Sequence, residues 1–198
     1  MIRLLYCSLA GCDSQSKERL YRLASPQRQM RADRYRKEED RLRCLIADGL
    51  LRYAVGKCTV ETGPQGKPYL PEHPDIHFNL SHSGNWVVLA VGDHEVGVDL
   101  ERTDRNVDRT ALAKRHFTPE ELASGEDFFA IWTAKESYLK YLGVGLTEDL
   151  RGFCVLPGKE PEGVRFFSMM PDNSHCLALC TTQEEETVQT LFLTCGEL

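Results

Sequence analysis

The chain has 198 residues, 41 % hydrophobic and 27 % charged, with a formal net charge of −6. These values suit one globular domain or two small packed halves and exclude a fibrous or disordered chain. No apolar run approaches the roughly 20 residues that cross a bilayer, so no membrane association is expected.

Residues 2–9 read as a first strand. Leu9-Ala10-Gly11-Cys12 has the look of a lipoprotein cleavage site, but one Arg and a short run broken by Tyr6, Cys7 and Ser8 make too weak an export signal. A cytoplasmic location is therefore expected. Residues 14–24 read as a short helix with Leu20 and Leu23 as its apolar contacts and a serine cap, and Ser25-Pro26 starts another. From about residue 35 to 55, Leu42, Leu45, Ile46, Leu50 and Tyr53 keep a helical period. The approach to that helix carries Arg28, Arg31, Arg34, Arg36, Lys37, Arg41 and Arg43. Residues 17–43 hold ten Lys/Arg against five Asp/Glu, a local +5 that leaves −11 elsewhere. Such a segment is either a solvated face or a site for a small phosphorylated ligand.

Residues 63–75 are a Pro/Gly-rich loop expected to lack regular structure, and strands follow at 76–80, 86–91 and 95–101. Thr118-Pro119-Glu120-Glu121 has capping-box spacing at a helix start. Residues 128–142 form a second long helix closed by Gly143. Further strands are predicted at 153–156, 164–169, 176–180 and 188–194, with an acidic run at 184–186. The eight cysteines are scattered and lack zinc spacing, so they read as reduced, mostly buried thiols.

Two stretches carry chemistry. In Val96-Gly97-Val98-Asp99-Leu100-Glu101 the strand period puts Val96, Val98 and Leu100 on a core face and Gly97, Asp99 and Glu101 on the other. Carboxylates two residues apart, roughly 6.5–7 Å along a strand, can converge on one divalent cation, or they form a plain solvated face. In Trp132-Thr133-Ala134-Lys135-Glu136-Ser137-Tyr138-Leu139-Lys140, Glu136 and Lys140 stack one turn apart, as an ordinary helix pair would. Together these stretches offer three carboxylates and an ammonium, a set suited to a magnesium–diphosphate centre and phosphoryl transfer. His82, in Asn79-Leu80-Ser81-His82-Ser83-Gly84, can donate to a phosphate oxygen.

Gly97-Val98-Asp99-Leu100-Glu101 and the stretch 132–140 resemble the two signature motifs of the 4′-phosphopantetheinyl transferases, in the monomeric surfactin-type (Sfp-type) branch. The likeness covers most of residues 20–150 and includes Ser25-Pro26, Gly66-Lys67-Pro68, residues 78–84, Ala113-Lys114-Arg115-His116-Phe117 and Gly143-Val144-Gly145-Leu146. It implies an α/β (α+β) pseudo-twofold fold of two halves, 1–94 and 95–198, each a small, mainly antiparallel sheet packed on a long helix, with coenzyme A in the cleft between them. By matching position it implies Asp99, Glu101 and Glu136 as ligands of Mg²⁺ and Lys140 as a phosphate contact. Arg28, Arg31 and His82 would hold the 3′-phosphate, Lys67 and Pro68 would lie at the adenine end, and Ser81 would sit nearby. Asp99, Glu136 and Lys140 are the implied catalytic residues, with Glu136 or a metal-ordered water as base.

The implied reaction moves 4′-phosphopantetheine from coenzyme A to a serine of an apo acyl or peptidyl carrier protein of fatty-acid, polyketide or nonribosomal-peptide synthesis. The alternative is a non-catalytic coenzyme A or nucleotide-binding module; no nucleic-acid partner is expected. Three departures stand out. Cys44 replaces a hydroxyl near the 3′-phosphate, arginines at 28 and 31 replace lysines, and Glu121, a suggested second base in the family, already has a structural reason in its capping box.

Overall fold

The computed structural model describes residues 1–145, 149–182 and 188–198. Leu146 and the acidic run 184–186 lie outside the described residues.

Strand β1 (Ile2–Ser8) is apolar on both faces, which calls for cover on both sides. Leu5 and Cys7 pack against the helices that follow, whereas Ile2, Leu4 and Tyr6 face a second sheet. Helix α1 (Ser14–Leu23) is capped by the Asp13 carboxylate on Ser16 N–H, not by a serine as expected, because an ionised acceptor one residue earlier serves the helix entry better. Helix α2 (Pro26–Ala32) starts at Ser25-Pro26, with the Ser25 hydroxyl accepting from Arg28 N–H. Helix α3 (Glu38–Val55) buries Leu42, Leu45, Ile46 and Leu50.

The Pro/Gly loop departs from expectation. Strands β2 (Glu61–Thr62) and β3 (Pro68–Tyr69) pair as a short hairpin closed by Gly63 N–H on Lys67 O and by Gly66 at φ 93°. Proline is tolerated there because so short a strand lies at an edge, where its missing N–H breaks no ladder.

Strands β4 (His77–Ser83) and β5 (Trp86–Gly92) form an antiparallel hairpin, and β5 continues onto β1. Strand β6 (Val96–Arg102) opens the second sheet. Helices α4 (Arg109–His116), α5 (Pro119–Ala123) and α6 (Phe128–Leu142) follow, α5 with its complete capping box and α6 with Gly143 in the left-handed region. Residues 153–156 are not the expected strand. Their backbone is taken by side chains: Val155 N–H donates to Glu121 and Phe153 O accepts from Lys135. Strands β7 (Arg165–Met169) and β8 (His175–Thr181) complete the second sheet, in the order β6-β8-β7. Strand β9 (Val188–Leu193) returns to the first sheet, parallel to β1, giving β4-β5-β1-β9.

The result is a mixed α/β fold of four layers: α1–α3, the first sheet, the second sheet, and α4–α6. Ile2, Leu4, Tyr6, Val88 and Ala90 meet Val96, Val98, Leu100, Leu177 and Leu179 between the sheets. All eight cysteines are free thiols, and Cys7, Cys44, Cys176, Cys180 and Cys195 are buried. Among the described residues, no helix is long and apolar enough to cross a membrane.

Candidate active site

Helix α6 lies on the face of β6 that carries residues 97, 99 and 101. Contact is closest at Gly97, where any Cβ would collide with the Ser137 carbonyl oxygen and the Tyr141 amide. Glycine at that place lets the helix lie against the strand and brings its polar side chains level with the carboxylates. Asp99 is 6 % exposed. Its Oδ1 accepts from Lys140 Nζ at 2.7 Å and from Ser81 Oγ at 3.1 Å, while its Oδ2 is buried without a partner among the described residues. Glu101, half-buried one pleat on, accepts from Ser83 Oγ at 3.0 Å and from Arg105 at 2.7 Å. Burial pushes the Glu136 carboxyl up to about 7, with Asp99 and Glu101 adding to the rise and Lys140 opposing it. Glu136 stands one turn before Lys140 on α6, the helix seated against β6 at Gly97.

The structure therefore brings together Asp99, Glu101, Glu136 and Lys140. Lys140 does not wait with free donors, because its ammonium also donates to Ser81 Oγ and Val98 O, both at 3.0 Å. Ser81 is likewise saturated: its hydroxyl accepts from Leu100 N–H and Lys140 and donates to Asp99. It holds the site together and has no bond left for a ligand.

A cavity of about 370 Å³ adjoins this cluster, lined among others by Arg28, Arg31, Arg43, Cys44, Pro68 and His82. Arg28 is held by Asp48 Oδ1 at 3.3 Å and Cys44 Sγ at 3.8 Å, and Arg31 is exposed at the rim. His82 opens onto the cavity, but protein hems in its other sides. That partial burial, with Arg43 and Lys140 nearby, lowers its pKa below the ordinary histidine value. His82 thus shares the cavity with the arginines and lies within reach of the Lys140 charge. Arg43, not singled out from the sequence, donates twice to Gly84 O, at 2.9 and 2.7 Å, and fixes the turn after His82. Its position one helical turn from Asp40 on the buried side of α3 was the available signal.

Lys67 does not line the arginine cavity. Its ammonium reaches Glu95 and, at 2.6 Å, Tyr141 O, satisfying a carbonyl in the last turn of α6. It lines a neighbouring cavity of about 390 Å³, which Pro68 also borders. Glu121 is 2 % exposed, and its two oxygens accept from Thr118 N–H, Val155 N–H and Lys135, so it has no opening to a substrate.

Among the described residues, no three His, Cys, Asp or Glu side chains are arranged as they stand to hold a metal ion. The donors nevertheless suit a hard cation: all are carboxylate oxygens, one of them the buried, unpartnered Asp99 Oδ2, and their repulsion would be relieved by positive charge.

A sequence profile of the 4′-phosphopantetheinyl transferase superfamily matches residues 95–188, and a profile of the N-terminal part of 4′-phosphopantetheinyl transferases matches residues 13–94. The chain is similar to a 4′-phosphopantetheinyl transferase of Bacillus subtilis, 32 % identical over 85 % of this chain and 87 % of that one. It is similar to 4′-phosphopantetheinyl transferase Sfp of B. subtilis strain 168, 35 % identical over 71 % of this chain and 70 % of its relative. To 4′-phosphopantetheinyl transferase HetI of Nostoc it is 36 % identical, over 75 % and 73 % of the two chains.

Proposed function

The chain belongs to the 4′-phosphopantetheinyl transferase superfamily, and from that premise we propose that it moves the 4′-phosphopantetheine arm of coenzyme A onto a serine of an apo acyl or peptidyl carrier protein. The observation that carries this reading is the buried Asp99, shared by Lys140 and Ser81, with Glu136 one turn before Lys140 on the same helix, and an arginine-lined cavity onto which His82, the residue after Ser81, opens.

In this reading residues 1–94 bind the nucleotide end and residues 95–198 supply the reacting groups. Arg28, Arg31 and His82 hold the 3′-phosphate. Pro68 borders the adenine end, while Lys67 shapes it from behind by tying its loop to α6. The serine oxygen attacks the phosphorus next to pantetheine, and the diphosphate bond breaks with its electron pair leaving on adenosine 3′,5′-bisphosphate. A carboxylate oxygen of Glu136 takes the serine proton. Lys140 exchanges one of its three internal acceptors for a phosphate oxygen and steadies the developing charge. Asp99, Glu101 and Glu136 would hold Mg²⁺, which when bound neutralises diphosphate oxygens. One chain supplies both walls of the cleft, in keeping with a monomer, and eight free thiols favour a reducing, cytoplasmic setting.

The test is incubation with coenzyme A, Mg²⁺ and a panel of apo carriers, read by intact mass. A gain of one phosphopantetheine group with release of adenosine bisphosphate is expected on at least one carrier. Tight coenzyme A binding with no gain on any of them would leave the non-catalytic binding module.

A further inference from the structure

Among the described residues strand β6 pairs with β8 on one side only, and its other edge leaves the N–H groups of Val98, Leu100 and Arg102 without backbone partners. Side chains of β4 take them: Asn79 Oδ1 at 3.0 Å, Ser81 Oγ at 3.1 Å and Ser83 Oγ at 3.0 Å. Both strands have a period of two, so residues 79, 81 and 83 meet 98, 100 and 102 in step. Lys140 completes the seam by donating to Val98 O. Two rungs have a second function. Ser81 donates to Asp99 Oδ1 at 3.1 Å, and Ser83 donates to Glu101 Oε2 at 3.0 Å. Each hydroxyl accepts from one residue of β6 and donates to the carboxylate just before it, so both its direction and that of the carboxylate are fixed.

We propose that Asn79, Ser81 and Ser83 are positioning residues, a side-chain ladder that sets the register of the two sheets and aims Asp99 and Glu101. Ser83 is the rung that aims Glu101. The inference rests on the reading of these two carboxylates as metal-facing. Arg105 also reaches Glu101 Oε2, but its side chain is 49 % exposed. A pair so placed orients little by itself.

Ser83→Ala and Ser83→Thr separate this role from mere packing. Two readouts apply: amide hydrogen exchange along β6, and binding of Mn²⁺ in the presence of coenzyme A, followed by electron paramagnetic resonance. In Ser83→Ala the Arg102 amide should exchange about tenfold faster with Leu100 unchanged, and Mn²⁺ should bind about ten- to a hundredfold more weakly. Coenzyme A alone should bind as before, and Ser83→Thr should restore both signals. Unaltered Arg102 exchange in Ser83→Ala, or threonine no better than alanine, would overturn the ladder. Glu101→Gln is the control for the underlying reading. If it leaves Mn²⁺ binding intact, the metal assignment fails, and the ladder still stands or falls on the Arg102 amide.

Discussion

Lys135 and Lys140 stand five residues apart on one helix, each paired with a carboxylate from another element, yet the two pairs are opposite in kind. Lys135 and Glu121 are both fully buried, and every partner is accounted for. The ammonium donates to Glu121, Leu150 O and Phe153 O, and the carboxylate accepts from two backbone amides besides. Lys140 is 30 % exposed, and its partner Asp99 keeps one oxygen unengaged. The closed network fastens the segment after α6 onto the fold. The open one has something left to offer a ligand.

The largest effect expected from this contrast is on stability. Lys135→Met leaves the Glu121 carboxylate buried without its cation, which costs about 3–5 kcal/mol. Urea unfolding should read that loss, while the folded fraction should keep its rate of transfer. Glu121→Gln should likewise weaken folding without moving the pH profile of transfer. A shifted profile with unchanged stability would make Glu121 a base and erase the distinction. Lys140→Met should behave the other way round, with kcat falling about a hundredfold. Its stability should fall less than that of Lys135→Met, because Lys140 is 30 % exposed and Asp99 keeps its bond from Ser81. An unfolded Lys140→Met protein would move that pair into the structural class.

The two pairs also differ in how much of them the sequence discloses. The capping box at Thr118 and Glu121 and the bounds of α6 rest on neighbours within a turn, and both stand as read. The acidic face of β6 follows from strand alternation alone. The saturation of Ser81 and Lys67 does not, because what fills a donor depends on which distant atoms arrive beside it. The same limit applies to residues 153–156, whose alternating apolar side chains look like a strand. It also hides the return of β9 to β1, since parallel pairing leaves no local turn signal. Asn79, Ser81 and Ser83 did leave a trace, three small polar residues at every second place. Their partners become visible only once β6 lies alongside.

The open site should also carry a pH signature. Glu136 rises from 4.5 to about 7, so the folded chain keeps a proton that the unfolded chain releases between those values. Its contribution to stability is full below pH 4.5 and falls as pH climbs through 7, by about 3 kcal/mol. Urea unfolding at pH 5 and pH 8 without divalent cation should show a steeper decline in the wild type than in Glu136→Gln. His82, lowered in the fold, has the opposite sign, losing stability as pH falls below 6.5, but it is common to both proteins and cancels. Parallel curves would show that Glu136 does not share the acidic neighbourhood of Asp99.

The smallest effect tests an intermediate case, a polar position that is neither closed nor fully open. Cys44 is 7 % exposed, lines the arginine cavity, and meets Arg28 only through a long 3.8 Å contact to sulfur. A thiol is a weak donor, so it adds little to a phosphate already faced by guanidinium groups. Cys44→Ser supplies a hydroxyl on a shorter bond, which should tighten coenzyme A binding by about 0.5–1 kcal/mol, or two- to fivefold. Calorimetry against coenzyme A and against 3′-dephospho-coenzyme A separates the causes. A gain confined to the 3′-phosphorylated ligand would assign the cavity to that phosphate. An equal gain with both would mean that the hydroxyl acts on Arg28 alone, and the arginine cavity would lose its claim to the 3′ end.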